Sequence, residues 1–104
     1  SLYLAQKRVD ALADGAALAG ADGFVFAAVG GEPTAQLTDA AVSEQAETFL
    51  GAVGAEAVIV SAGSPDGVSS RVTVAAVWHP PVVTLFVPDG VRVEATATSR
   101  TLLR

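Results

Sequence analysis

The sequence changes its pattern at Ala55, and this change limits the possible folds more than any other feature. Before Ala55, apolar residues recur at spacings of three and four, as on one face of an α-helix. After Ala55, valine, isoleucine and threonine dominate, and apolar residues alternate with polar ones as in half-buried strands. Helices followed by strands predict an α+β fold. Because the chain has 104 residues, we expect a single domain over residues 1–104.

The first segment predicts one long helix from Leu2 to about Ala21. It contains no proline, and its apolar stripe consists of Leu2, Ala5, Val9, Leu12, Ala16 and Ala19. A polar face recurs every four residues and predicts a solvated side: Gln6, Asp10 and Asp14. Gly15 costs about 1 kcal/mol relative to alanine inside a helix, so it indicates a close contact with another backbone. Gly20 and Gly23 predict the end of the helix.

Residues 24–54 predict an extended link followed by a second helix. Phe24–Val29 is either a short strand or a buried link, and we expect a loop from Gly30 to Pro33. Thr38 or Asp39 is the expected N-cap, and Gly51 and Gly54 are expected to bracket the end of the helix. The apolar face of this helix comprises Val42, Ala46, Phe49, Leu50 and Val53.

The second half of the chain predicts a mainly antiparallel sheet of three or four strands. The expected strands are residues 57–62, 71–78 and 91–98. One face of the middle strand carries Val72, Val74, Ala76 and Trp78. In the last strand the apolar face carries Val91, Val93, Ala95 and Ala97, opposite Arg92, Glu94, Thr96 and Thr98. We therefore expect the two helices to pack on the apolar face of this sheet.

Turn chemistry separates these strands. Pro-Asp-Gly occurs at residues 65–67 and 88–90, where proline presets φ, aspartate binds its own backbone and glycine adopts a positive φ. Both sites predict tight turns. Neither Pro80 nor Pro81 can donate a ladder hydrogen bond, so His79-Pro80-Pro81 predicts a bend or a sheet edge.

The composition excludes several classes of protein. The absence of cysteine removes disulfides, thiolate zinc sites and thiol nucleophiles. A net charge of -5 and a pI near 4.5 argue against nucleic acid as a partner, because binding phosphates requires a basic surface. No apolar run approaches the roughly 18 to 20 residues that span a bilayer.

No pattern selects a catalytic, cofactor or metal site. His79 is the only histidine, and no glycine-serine-glycine turn presents a serine as its nucleophilic partner. The serines and aspartates that could complete a triad in space are Ser61, Ser64, Ser69, Ser70, Asp66 and Asp89. The glycines at 20, 23, 30 and 31 lack phosphate-loop spacing. Trp78 is either a ligand platform or, as its position on the apolar face favours, a cap on the sheet core.

The acidic residues give the same result. Asp10, Asp14 and Asp22 lack the spacing and central glycine of a calcium loop. Several other carboxylates could meet in space, and the sequence selects no pair among Glu44, Glu47, Glu56, Asp66 and Glu94. We expect no enzyme, no cofactor and no metal site.

Residues 4–21 resemble the stretch just after the membrane helix in TadE-like and TadG-like proteins, which are minor pilins or pseudopilins of the tight-adherence (Flp-type, type IVc) pilus. In that family a basic, glutamine-containing patch precedes a helix with the pattern A-D-x-A-A-L-A-G-A. Residues 13–21 match this pattern, with Gly15 at the variable position. The ending at residues 91–98, after a proline-glycine turn, is similar to the family's last strand. The prepilin cleavage site and the membrane helix of the family are absent from this sequence.

The resemblance implies a pilin-like domain without an active site, anchored by a membrane helix before Ser1. It implies a location on the extracytoplasmic face of the membrane or in the extracellular pilus, with other pilus or pseudopilin subunits as partners. Bulky substitutions at Ala13 or Ala16 would impair association if the helix is an assembly surface, and folding if these alanines face the domain's own sheet. Two alternatives remain: a secreted or surface module that binds a peptide or small ligand near His79-Pro80-Pro81, and an acid hydrolase.

Overall fold

The computed structural model describes residues 1–79 and 90–100 and confirms the α+β fold. The elements in chain order are α1 (Leu2–Ala21), β1 (Val25–Val29), β2 (Glu32–Gln36), α2 (Asp39–Val53), β3 (Val58–Gly63), β4 (Ser69–Trp78) and β5 (Val91–Arg100). β3, β4 and β5 form a three-stranded antiparallel sheet in that order, and β1 and β2 form a separate two-stranded hairpin. Helix α1 lies across β4 and β5, and α2 lies beside α1 and packs on β3.

Helix α1 begins and ends with local hydrogen bonds. The Ser1 side chain accepts a hydrogen bond from the backbone N–H of Leu4, as an N-cap does. At the other end, the backbone N–H of Asp22 donates to the carbonyl of Ala19, and that of Gly23 donates to the carbonyl of Gly20. The prediction that Gly20 ends the helix is wrong, because Gly20 lies inside the last turn, where its missing side chain leaves room for Ser70 of β4.

The buried face of α1 is made of small residues. It comprises Ala5, Val9, Ala13, Ala16, Ala17, Gly20 and Ala21. These residues pack on Val72 and Val74 of β4 and Val93 of β5, all of them buried. Small side chains let the helix axis approach the sheet closely. The apolar surface of α1 is therefore buried by this close approach, without long side chains. Leu2 was predicted on this face but is 47% exposed.

The predicted polar face of α1 is only partly solvated. Asp14 is exposed, as predicted, whereas Gln6 and Asp10 are half-buried. The Gln6 Nε2 donates hydrogen bonds of 3.0 Å to the Asp10 Oδ1 and to the backbone carbonyl of Glu94. This polar pair ties the first half of α1 to β5.

Helix α2 has the predicted N-cap and ends at Gly54, whereas Gly51, also predicted at its end, lies inside the helix. The Thr38 hydroxyl accepts a hydrogen bond from the Ala41 N–H, and Gly54 has a φ of +67° at the C-cap. The buried residues of α2 are Val42, Ala46 and Leu50, with Phe49 half-buried. The close contact predicted at Gly15 exists, but its partner is the Phe49 ring and not a backbone segment. Val53 was predicted inward and is 51% exposed.

Residues 25–36 form a hairpin where a loop was predicted from Gly30 to Pro33. Gly30 and Gly31 have φ values of +63° and +84°, which suit the two central positions of a type I′ turn. The chain therefore reverses within two residues, and Glu32 pairs with Val29 and Pro33 with Ala28. Within the described part of the chain, β1 and β2 contact each other and no other helix or strand.

The three-stranded sheet follows the predicted alternation. β4 pairs with β5 from Ser69↔Arg100 to Trp78↔Val91, and β3 pairs with β4 through an irregularity between Ile59 and Ser61. On the outer face, the Oγ1 atoms of Thr73 and Thr96 lie 2.7 Å apart. On the inner face, Trp78 is half-buried and packs against the core, in agreement with its interpretation as a core residue.

The first Pro-Asp-Gly turn is confirmed. Gly67 has a φ of +81°, and the Asp66 Oδ1 accepts hydrogen bonds from the backbone N–H groups of Val68 and Ser69. Gly90 also has a positive φ, of +78°. Pro80, Pro81, Pro88 and Asp89 lie outside the described residues.

Candidate interaction surfaces

The structure separates His79 from the candidate triad partners in and beside the β3–β4 turn. His79 is exposed just after the end of β4, whereas Asp66 and Ser69 lie at its start. A strand of ten residues separates them by about 30 Å. Ser70 is fully buried in the core, with no hydrogen-bond partner for its Oγ among the described residues. The Ser69 Oγ donates a hydrogen bond of 3.0 Å to the Asp66 Oδ2, but among the described residues His79 is paired with no serine and no aspartate.

The carboxylates are also dispersed. Over residues 1–79 and 90–100, no three histidine or acidic side chains come close enough to hold a metal ion. The pKa of Asp66 is lowered, chiefly by the hydrogen bond from the Val68 N–H and further by the backbone and hydroxyl of Ser69. These partners all belong to its own turn, so the carboxylate holds the β3–β4 connection.

The first turn of α1 exposes large apolar side chains. Leu2 is 47% exposed, Tyr3 68% and Leu4 60%. The Lys7 Nζ lies 5.6 Å from the centre of the Tyr3 ring, within cation–π range. The end of the helix nearest the N-terminus therefore offers an apolar surface that the described part of the domain does not cover.

A line of exposed residues continues from this turn along the outward side of α1. We call it the outer ridge, and it consists of Leu4, Lys7, Ala11, Asp14 and Leu18. Its spacings of three and four place it on one face of the helix, opposite the buried alanines. Leu18 is 61% exposed. This ridge was not predicted from the sequence, although its residues recur at spacings of three and four, as those of the buried stripe do.

An open groove lies on the other flank of α1. Helix α2 ends at Val53, level with the middle of α1, so no helix of the described residues lies beside the first three turns of α1. The space left is about 440 Å³. Its apolar lining comes from Ala5, Val9, Leu12, Ala76, Trp78 and Val93, together with Val53 at the end of α2 and Ala55 just after it. We call this space the α1 groove.

Two charged residues line the α1 groove from different walls. Arg8 belongs to α1, and Glu56 to the segment that follows α2. A smaller cleft of about 240 Å³ lies nearby, lined by His79, Glu56, Arg92 and apolar residues of β3 and β4. This cleft is where a ligand-binding function near His79 would be located.

Comparison with known proteins gives no match: no family model, no curated protein and no solved structure corresponds to this chain. No helix within residues 1–79 and 90–100 combines the length and the apolar character needed to cross a membrane.

Proposed function

We propose that this domain is a structural subunit of a tight-adherence type IV pilus, the envelope-exposed domain of a TadE-like minor pilin, and that it has no catalytic activity. The proposal rests on the resemblance of residues 4–21 to that family. In it, the domain lies on the extracytoplasmic face of the membrane or in the pilus, and a preceding helix anchors it. Its partners are other pilus or pseudopilin subunits.

The apolar first turn of α1 is the observation that supports this proposal best. Leu2, Tyr3 and Leu4 are exposed at the end of the helix, whereas the other residues of its apolar stripe are buried or half-buried. Exposed apolar side chains at the start of a long helix suit a helix that continues towards a bilayer or a neighbouring subunit. The sheet then covers the small-residue side of the same helix.

The assembly surface is not the alanine stripe. Ala13 and Ala16 are fully buried in the domain's own core. A bulky substitution such as Ala16→Leu should therefore lower the Tm of the isolated domain, because overpacking costs about 1 to 3 kcal/mol. In assembly, α1 contacts other subunits through its exposed residues.

The chain contains no cysteine, so an introduced cysteine is its single thiol, and any thiol-specific reaction of these 104 residues occurs at that position. In cells that make the pilus, the full-length protein carrying Tyr3→Cys, alkylated at that thiol with a maleimide that bears a photoreactive group, should cross-link to another pilus subunit on illumination. The matched variant Thr48→Cys, on an exposed position of α2, should not. Both cysteines should react with a membrane-impermeant maleimide once the outer envelope is permeabilised.

Deletion of the gene should abolish surface pili, and the full-length gene should restore them. Normal pili in the deletion strain would contradict the proposal. Normal pili together with binding of a peptide or small ligand in the cleft beside His79 would favour the alternative of a surface binding module.

A further inference from the structure

We infer that copies of this chain associate head to tail, with the outer ridge of α1 from one copy seated in the α1 groove of the next. Leu18 enters the groove, and Asp14 lies against Arg8. This contact does not depend on the proposed pilus function, because it forms between copies of the purified chain and needs no other protein.

The kind of occupant follows from the domain's own packing. Helix α2 lies between α1 and β3 on the inner face of the sheet, level with the segment from Gly15 of α1 to Gly23 just after it. The α1 groove continues the same trough past Gly54, where α2 has ended. The trough therefore already accepts a helix over half of its length. The open half extends from Ala5 to Leu12 of α1, which corresponds to about 10 Å, or two helical turns.

The outer ridge supplies two turns of suitable shape. Ala11 and Leu18 are seven residues apart, so they span about 10 Å along one line of the helix. Leu18 projects a large side chain, and Ala11 leaves room for the half-buried Leu12 and Trp78 of the groove. A convex helix face thus meets a concave apolar surface of matching length.

The charges of the two surfaces are complementary. The ridge carries Lys7 and Asp14, and the groove walls carry Arg8 and Glu56. With Leu18 in the groove, Asp14 meets Arg8, and Lys7 lies on the side of Glu56. Exposed pairs of this kind contribute little energy but fix the orientation of a contact. Two copies can approach in this way despite a net charge of -5 each.

Because ridge and groove are different surfaces of one copy, the contact is heterologous and does not close after two copies. Its footprint is short, so it belongs to the weak class of interfaces. Sedimentation velocity from about 10 µM to about 1 mM, a range suited to weak contacts, should show a weight-average coefficient that rises without a dimer plateau.

Three substitutions at exposed positions test the assignment. Leu18→Glu blocks the ridge, Val53→Glu blocks the groove, and Val58→Glu places the same charge on β3 outside both surfaces. The first two should stay monomeric throughout, and the third should behave as the wild type. All three should keep the wild-type circular dichroism spectrum, because each side chain is about half or more exposed.

A mixture of the Leu18→Glu and Val53→Glu variants gives the most specific test of the contact. Leu18→Glu retains its groove and Val53→Glu retains its ridge, so an equimolar mixture should form a 1:1 dimer that does not extend. Asp14→Lys should weaken association by about threefold to tenfold, and an Arg8→Glu partner should restore it. A monomeric wild type at about 1 mM, an equal loss with Val58→Glu, or a mixture that stays monomeric would overturn the inference.

Discussion

The contact between Gly20 of α1 and Ser70 of β4 gives the most stringent test of how closely the helix lies on the sheet. A Cβ built on Gly20 falls well inside the van der Waals contact distance of the Ser70 Oγ, and 2.9 Å from the Val42 Cγ1. Both neighbours are fully buried. We therefore expect Gly20→Ala to force a backbone shift and to destabilise the domain.

The magnitude follows from two opposing effects. Alanine gains up to about 1 kcal/mol over glycine in a helix interior, and less at Gly20, the penultimate residue of α1. Overpacking a filled core costs about 1 to 3 kcal/mol. The net loss should be about 1 to 2 kcal/mol, which lowers the Tm of a domain of this size by about 4 to 15 °C.

Gly15→Ala is the matched control. Its Cβ would meet the far end of the Phe49 ring, which is half-buried and can move, instead of the short, fully buried side chain of Ser70. The helix-propensity gain then remains, so the Tm should stay within about 5 °C of the wild type.

Ser70→Ala completes a double-mutant cycle. An unpartnered buried hydroxyl costs about 1 to 3 kcal/mol, so removing the Ser70 Oγ should raise the free energy of unfolding by about 0.5 to 1 kcal/mol after the lost packing. In this background Gly20→Ala should cost less, with a coupling of at least about 0.5 kcal/mol. Urea unfolding measures all four proteins. A Gly20→Ala variant as stable as the wild type, or zero coupling, would refute the close approach of α1 to β4.

Three further results are expected. Val93→Lys should lower the free energy of unfolding by about 3 kcal/mol or more, whereas Thr96→Lys should lower it by less than about 1 kcal/mol. The reason is that Val93 is 5% exposed on the inner face and Thr96 lies on the outer face. Equal losses in urea unfolding would contradict the assigned faces. The lowered pKa of Asp66 means that its contribution is complete above pH 3.8 and disappears as the pH falls through the folded-state pKa. The stability difference between wild type and Asp66→Asn should therefore shrink below that pH, and a difference constant down to about pH 2 would contradict it. A chelator should leave the Tm unchanged; a stoichiometric transition metal released from His79 would contradict this expectation.

The periodic features of the sequence were enough to predict the elements. Spacings of three and four located α1 and α2, and alternation located β5 and its inward Val93, because both patterns arise from backbone geometry that neighbours do not alter. Signals with two physical meanings were less informative. A glycine that ends a helix and a glycine that admits a neighbouring strand have the same sequence signature, which is why Gly20 was misassigned. Proline is tolerated on an edge strand such as β2. Pro33 therefore lies in a strand and pairs with Ala28, where a loop was predicted.

The interaction surfaces were harder to predict, since they depend on how the elements are arranged. Helix α2 has 15 residues and α1 has 20, and both lengths were evident in the sequence. The α1 groove arises because α2 runs beside the C-terminal half of α1, and no local pattern specifies that alignment. For the same reason, Leu2 and Val53 belong to apolar stripes but are exposed: the neighbouring element does not reach them.

The order of the elements along the chain has a consequence for folding. Helix α1 comes first, yet the residues that cover it from the sheet belong to β4 and β5, and the Gln6 side chain bonds to a carbonyl 88 residues away. Contacts between such distant residues require closure of a loop almost as long as the chain, which slows folding. Helix α1 gains little stability by itself, with no acidic residue in its first turn and no basic residue in its last. A chain that ends before β5 therefore leaves part of the alanine face of α1 uncovered, and the domain becomes stable only once β5 is present.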